Sequence, residues 1–86
     1  MNEYLARVYV TLKPGVNDPQ GTTIKENVNR LGLASIRDIR LGKYLEIVVD
    51  ATNLNNATKT VEELCDKVLA NPVIEQFSHD ITLIEE

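Results

Sequence analysis

Cys65 and His79 are the only thiol and the only imidazole in these 86 residues. A thiolate can attack a substrate or bind a metal, and an imidazole can move protons or bind one. With one histidine, two-histidine metal sites are excluded, and no second cysteine exists to complete a mixed site. Cys65 falls in the apolar stripe of a helical pattern, whereas reactive thiols need exposure and positive neighbours. His79 stands on a strand-like run between Ser78 and Asp80 and reads as structural. Glu62, Glu63 and Asp66 occupy the polar side of the same helix as Cys65, where solvated charges belong. No nucleophile beside a base, no carboxylate pair and no metal cluster assembles, so the expectation is a chain with no catalytic residue, cofactor or metal of its own.

One further segment could do chemistry. Lys13-Pro14-Gly15-Val16-Asn17-Asp18-Pro19-Gln20-Gly21 links a strand to a helix start, which is where phosphates are often held. It lacks the Gly-x-x-x-x-Gly-Lys-Ser/Thr pattern, and Asp18 at the helix cap would itself take the amides an anion needs. A shaped, rigid interface loop is the better reading. Arg37, Arg40 and Lys43 gather around Gly42, either as a partner site on an acidic chain or as solvated residues beside a turn. Nine basic against thirteen acidic side chains give a net charge of −4, which argues against a nucleic-acid partner. No apolar run approaches the ~20 residues of a membrane span, and no export signal opens the chain, so a cytoplasmic location is expected.

The elements that must position these residues follow from periodicity. Tyr4, Ala6, Val8, Val10 and Leu12 alternate with Leu5, Arg7, Tyr9, Thr11 and Lys13, which predicts a strand with an apolar inner face. Asp18 caps a helix with Pro19 at its first position, Ile24, Val28 and Leu31 form its buried stripe, and Gly32 ends it. Ser35–Asp50 is β-rich, and two antiparallel strands joined by a tight turn at Gly42, with φ > 0, fit it best. Ile36 and Ile39 lie three apart, so the first of these strands requires a bulge. Thr52 or Asn53 caps a second helix with the stripe Leu54, Ala57, Val61, Leu64, Cys65 and Val68. A last strand runs from about Gln76 to Ile84.

The order β-α-β-β-α-β predicts an α+β domain over residues 1–86, with two helices on one face of a four-stranded antiparallel sheet, as in ferredoxin-like folds. The other face carries Leu5, Tyr9, Tyr44, Val48 and Ile84, too apolar a set to meet water. A chain this short buries only about 60–65% of its unfolded surface. Pairing that face with a second copy, as a homodimer or a dimer of dimers, is the simplest remedy.

Three segments also carry a resemblance: the Lys13–Gly21 loop, Arg40-Leu41-Gly42-Lys43-Tyr44-Leu45-Glu46, and Leu69-Ala70-Asn71-Pro72-Val73-Ile74-Glu75. In this order and spacing the chain resembles PurS, the small subunit of bacterial and archaeal phosphoribosylformylglycinamidine (FGAM) synthase, from about Val8 to Ile84. The resemblance implies a non-catalytic subunit of an ATP-dependent ligase complex in purine biosynthesis. In that family a synthetase subunit (PurL), using ATP and Mg, acts with ammonia released from glutamine by a glutaminase subunit (PurQ), and PurS dimers bridge the two. Asp18, Pro19, Gln20, Gly21, Arg40, Gly42, Lys43, Tyr44, Glu46, Asn71, Val73, Ile74 and Glu75 match the motifs and are assigned partner-interface roles. Leu33–Ile36 and Asp50–Ala57 carry no such motif. Two rivals share the general plan: a ligand-binding regulatory domain of the ACT type, and an acylphosphatase-like hydrolase, whose arginine-bearing phosphate loop has no counterpart here before Arg30.

Overall fold

Alternation along Asn2–Leu12 builds the central strand, β1. Tyr4, Ala6, Val8 and Val10 are buried, while Tyr9 and Thr11 on the opposite face are exposed. In the computed structural model, which describes residues 1–84, β1 pairs antiparallel with β2 (Gly42–Ala51) on one side and β3 (Glu75–Leu83) on the other. The register sets Tyr9 opposite Tyr44 and Ser78, and Val10 opposite Lys43 and Phe77. Because side chains alternate, this register also divides the apolar residues of all three strands between two faces.

One face is covered by α2 (Leu54–Leu64). Asn53 caps it, its side-chain oxygen accepting the Asn56 N–H at 2.8 Å, which satisfies one orphan amide of the first turn. Val61 and Cys65 point inward and meet Ala6, Val8 and Val10 to form the main core, while Ala57 meets Tyr4 and Ala51 in a second cluster. Each fully buried valine in that set contributes roughly 1.5–3 kcal/mol of transfer free energy. After Leu64 the helix widens into a π turn, Cys65–Leu69, closed by the Ala70 N–H on the Cys65 carbonyl at 2.9 Å. The wider turn brings Leu69 to the core in place of Val68, which is 71% exposed. The inward stripe therefore does not extend to Val68, because the α-helical period fails one turn earlier.

Two further expectations require correction. Among the described residues the sheet has three strands, not four. Residues 36–41 are irregular, and Gly42 opens β2 instead of turning a hairpin. The cause is local: Asp38 accepts the Ile39 N–H at 3.0 Å and Asp18 accepts the Leu41 N–H at 2.8 Å, so these amides are diverted from any ladder. Gly42 does not adopt positive φ, which among the described residues occurs only at Gly15 and Gly32. Its lack of a side chain serves close approach instead, since a Cβ there would stand 2.8 Å from the Val10 carbonyl oxygen.

The second correction concerns α1 (Pro19–Arg30). Its apolar stripe predicts cover for the sheet beside α2, yet it makes at most marginal contact with either. Ile24 is 38% and Leu31 76% exposed, so its stripe is not buried within one chain. The molecule is accordingly long and thin, 52 × 31 × 14 Å, with a radius of gyration of 16.8 Å against about 12 Å for a compact chain of this length.

Candidate interaction site

Three strand ends meet at one end of the sheet: the exit of β1 and the entries of β2 and β3. The three motif segments therefore converge there. Lys13, just past β1, receives the chain before β3: its N–H donates to the Ile74 carbonyl at 2.8 Å and its Nζ to the Pro72 carbonyl at 2.6 Å. The same residue's carbonyl accepts from Arg40 Nη2 at 3.4 Å. Lys43 Nζ lies 3.9 Å from Glu75 Oε2, joining β2 to β3 across β1. Asn71 shapes the turn into β3, its side-chain oxygen accepting the Val73 N–H at 3.1 Å, while the Asn71 N–H donates to Glu75 at 2.8 Å.

Asp18 stands at the centre of this arrangement and is the only buried charged or polar residue among those described. One carboxylate oxygen accepts the Gly21 N–H at 2.9 Å, capping α1, and the other accepts the Leu41 N–H at 2.8 Å. Arg40 Nε lies 4.0 Å away. The Leu41 and Gly21 amides, in that order, hold the Asp18 carboxyl below its ordinary 3.8, with Arg40 adding to the effect against the cost of burial. Gly21 is required for this seam: a Cβ there would collide with the Ile39 carbonyl and stand 2.8 Å from Asp18 Oδ2. A cavity of about 220 Å³ opens beside it, between Val10, Gln20, Lys43 and Glu75.

Most of the expected interface residues are thus brought together: Asp18, Gly21, Arg40, Gly42, Lys43, Asn71 and Glu75 in the seam, with Pro19 and Gln20 in the adjoining first turn of α1. Val73 projects outward at 78% exposure and Ile74 is partly exposed. Tyr44 and Glu46 lie elsewhere, on the uncovered face, where the Tyr44 hydroxyl donates to Glu46 at 3.0 Å. Desolvation, and then Glu46, push the Tyr44 hydroxyl above its ordinary pKa. On the same face Leu5 pairs with Val48 and Tyr9 with Tyr44. Ile84 follows β3, its N–H bonded to the Glu3 carbonyl at 2.9 Å. Lys13 and Leu41 are not among the interface residues expected from sequence: Leu41 acts through its backbone N–H, and Lys13 through its N–H and carbonyl as well as its Nζ.

The groups capable of chemistry are dispersed. Cys65 is buried against Val61 and Val8, and burial, with Asp66 and Glu62 nearby, raises its thiol above 9.0. His79, opposite Val8 in the register, has Nε2 3.4 Å from Glu62 Oε1 of α2. Among the described residues no group of three or more His, Cys, Asp and Glu could hold a metal ion. None of the described helices is long and apolar enough to cross a membrane.

A small α+β unit with shaped loops at one sheet end and an uncovered apolar face is the kind of domain that works by contact with other proteins. Comparison with known proteins narrows this class. The family model for PurS, phosphoribosylformylglycinamidine (FGAM) synthase, matches residues 5–83. A Synechocystis phosphoribosylformylglycinamidine synthase subunit PurS is 38% identical over 84 residues, covering 98% of this chain and 84% of the relative. The crystal structure of Methanocaldococcus jannaschii PurS, one of the subunits of formylglycinamide ribonucleotide amidotransferase in the purine biosynthetic pathway, superposes with a TM-score of 0.84 at 36% identity. That superposition covers 95% of this chain and 99% of the other. The structure of PurLQS from Thermotoga maritima contains a chain that matches with a TM-score of 0.84 at 27% identity, covering 98% and 100%. The chain belongs to the PurS family, that of a subunit of FGAM synthase.

Proposed function

We propose that this chain is the non-catalytic PurS subunit of an FGAM synthase complex, working as a homodimer or dimer of dimers that bridges the glutaminase and the ATP-dependent synthetase. The observation that carries the reading is the convergence of the three motif segments in one rigid seam around Asp18, Arg40, Lys43 and Glu75. A chain with no reacting groups gathered there still offers a fixed, polar surface for partner subunits. ATP and Mg belong to the synthetase in this reading, and residues 1–86 act as one domain in the cytoplasm.

Assembly has its own physical support. The chain exposes 6203 Å², whereas a compact monomer of this mass exposes about 5,100 Å². The excess of roughly 1,100 Å² compares with the ~800 Å² that each partner contributes to a standard interface. Leu5, Tyr9, Tyr44, Val48 and Ile84 are assigned to contacts between copies. Ammonia transfer is the chemical need such a scaffold serves: ammonium is no nucleophile, so ammonia passing from glutaminase to synthetase gains from shielding against water.

Reconstitution tests the reading. The synthetase and glutaminase are mixed with and without this chain, and turnover is measured with glutamine and with ammonia. Glutamine-driven synthesis that requires the chain, alongside ammonia-driven synthesis that requires it less, supports the proposal. Equal dependence on the chain for both nitrogen sources counts against a role in transfer.

A further inference from the structure

We infer that Arg7 sets the register in which two copies of this chain associate: across the uncovered face of the sheet it pairs with Glu46 of a second copy, about a two-fold axis running along the strands between β1 and β2. The inference rests on the assembly of copies proposed above and specifies its geometry. Strand pairing arranges that face in rows. Tyr9 stands opposite Tyr44, Arg7 opposite Glu46 on one side and Asp80 on the other, and Leu5 opposite Val48. A single charged row, negative at both ends and positive in the middle, therefore crosses the face between two apolar ones.

Within one copy that row is incompletely matched. Arg7 carries five N–H donors in a planar fork, yet among the described residues its ionic contact is Nη1 to Asp80 Oδ2 at 3.9 Å, beyond hydrogen-bond length. Glu46 lies directly opposite Arg7 but takes the Tyr44 hydroxyl on Oε2, and its other oxygen has no hydrogen bond among the described residues. The Arg7 side chain is 36% exposed and Glu46 is exposed, so a second molecule can reach both.

A second copy is the occupant this face fits, because it brings the same rows and because the roughly 1,100 Å² of excess exposed surface covers the ~800 Å² that each partner gives to a standard interface. Packed sheets keep their strands within about 30° of each other, so a two-fold axis along the strands lays each row over its own counterpart. On β1, that axis would set Arg7 against Arg7. Between β1 and β3 it would lay Tyr9 over Ser78 and Leu5 over Thr82. Between β1 and β2 it lays Tyr9 over Tyr44 and Leu5 over Val48, and brings each Arg7 to the other copy's Glu46. An axis across the strands, through or beside the charged row, would set Arg7 on Arg7 or Glu46 on the apolar residues next along its strand. The charged row thus excludes the registers that the apolar rows alone would tolerate.

Charge reversal in mixed pairs tests this. Arg7→Glu and Glu46→Arg, each alone, put like charges at both contacts, and each should weaken self-association at least about tenfold in analytical ultracentrifugation. Mixed in equal amounts, the two variants should associate with one another about as tightly as the unmodified chain, since each new side chain then meets an opposite charge on the other copy. Within a single copy both variants keep a like-charged pair, so a role confined to one chain gives no rescue on mixing. Neither residue belongs to the core, and melting curves check that both variants fold. Should Arg7→Glu disturb the strand, Arg7→Gln carries the test: it should weaken association several-fold and blunt its response to salt, and unchanged association would overturn the inference. Absence of rescue on mixing would overturn it too, as would rescue by Asp80→Arg in place of Glu46→Arg, which puts the axis on the other side of β1. If the unmodified chain is monomeric at micromolar concentration, the assembly reading itself fails; if it associates and mixing rescues nothing, only the Arg7 pairing does.

Discussion

The rings of Tyr9 and Tyr44 lie 5.2 Å apart, centroid to centroid and tilted by 36°, on the face of the sheet that no helix covers. The pair follows from the register that places the two residues opposite each other on β1 and β2. Both are about half exposed, and Val48 nearby is 60% exposed. Tyrosine joins a large apolar ring to a polar hydroxyl, a combination enriched at protein interfaces.

Tyr9→Glu is therefore expected to weaken association between copies by at least about tenfold, because it buries a charge against apolar area. Light scattering across micromolar concentrations measures the shift. A wild-type chain that is monomeric throughout that range would remove the argument from this face.

Lys43 offers a separate test at the seam. Its side chain is 66% exposed and its contact with Glu75 is 3.9 Å, so Lys43→Gln should alter stability by less than ~1 kcal/mol. Glutamine-driven synthesis in the reconstituted complex should fall more than ammonia-driven synthesis. Lys43→Glu is a blunter probe, since it sets a second carboxylate beside Glu75. Equal rates from both nitrogen sources with Lys43→Gln would mark the lysine as a solvated residue without a partner.

Cys65 should be inert while the protein is folded. Burial keeps the thiol above its ordinary 9.0, so a thiol reagent at neutral pH should label it only after unfolding. Cys65→Ala should cost ~1–3 kcal/mol in chemical denaturation through the cavity it leaves and spare complex activity. Rapid labelling of the native chain would contradict the packing described above.

The Asp18 seam has a defined acid limit. Its folded pKa lies below the unfolded 3.8, so its contribution is fully present above that value and is lost as pH falls through the lowered folded one. Protection of the Leu41 amide, corrected for intrinsic exchange, should hold from neutrality to about pH 4 and decline below it. Decline beginning near pH 6 would point to a histidine-like group instead.

The strands and α2 were legible in the sequence because their patterns are local and regular. Strict alternation from Tyr4 to Leu12 placed every buried residue of β1, Asp18 marked the start of α1, and the pair Thr52 or Asn53 marked the start of α2 with the choice left to the structure, which uses Asn53. Ser35–Leu41 misled because its composition is strand-like while Asp38 and Asp18 capture its amides, and only the second of these is a long-range event. The stripe of α1 was read as core because periodicity reports that a helix has an apolar side and not which molecule covers it. Gly42 was assigned a turn for its φ, whereas its actual constraint is the Val10 carbonyl across the strand pair. The seam's members were identified through motifs, but their mutual contacts, with Leu41 acting by backbone and Lys13 by backbone and Nζ together, required the fold.

The π turn at Cys65–Leu69 is equivalent to an α-helix carrying one extra residue. Removing one residue there would restore ordinary helical winding and still deliver an apolar side chain, Leu69 or Ala70, toward Cys65's neighbours. The same deletion inside β1 would turn every following side chain to the opposite face. Length variation by a single residue is thus admissible at the end of α2 and inadmissible in the central strand, which makes this turn the natural place for the chain to lengthen or shorten without disturbing the sheet.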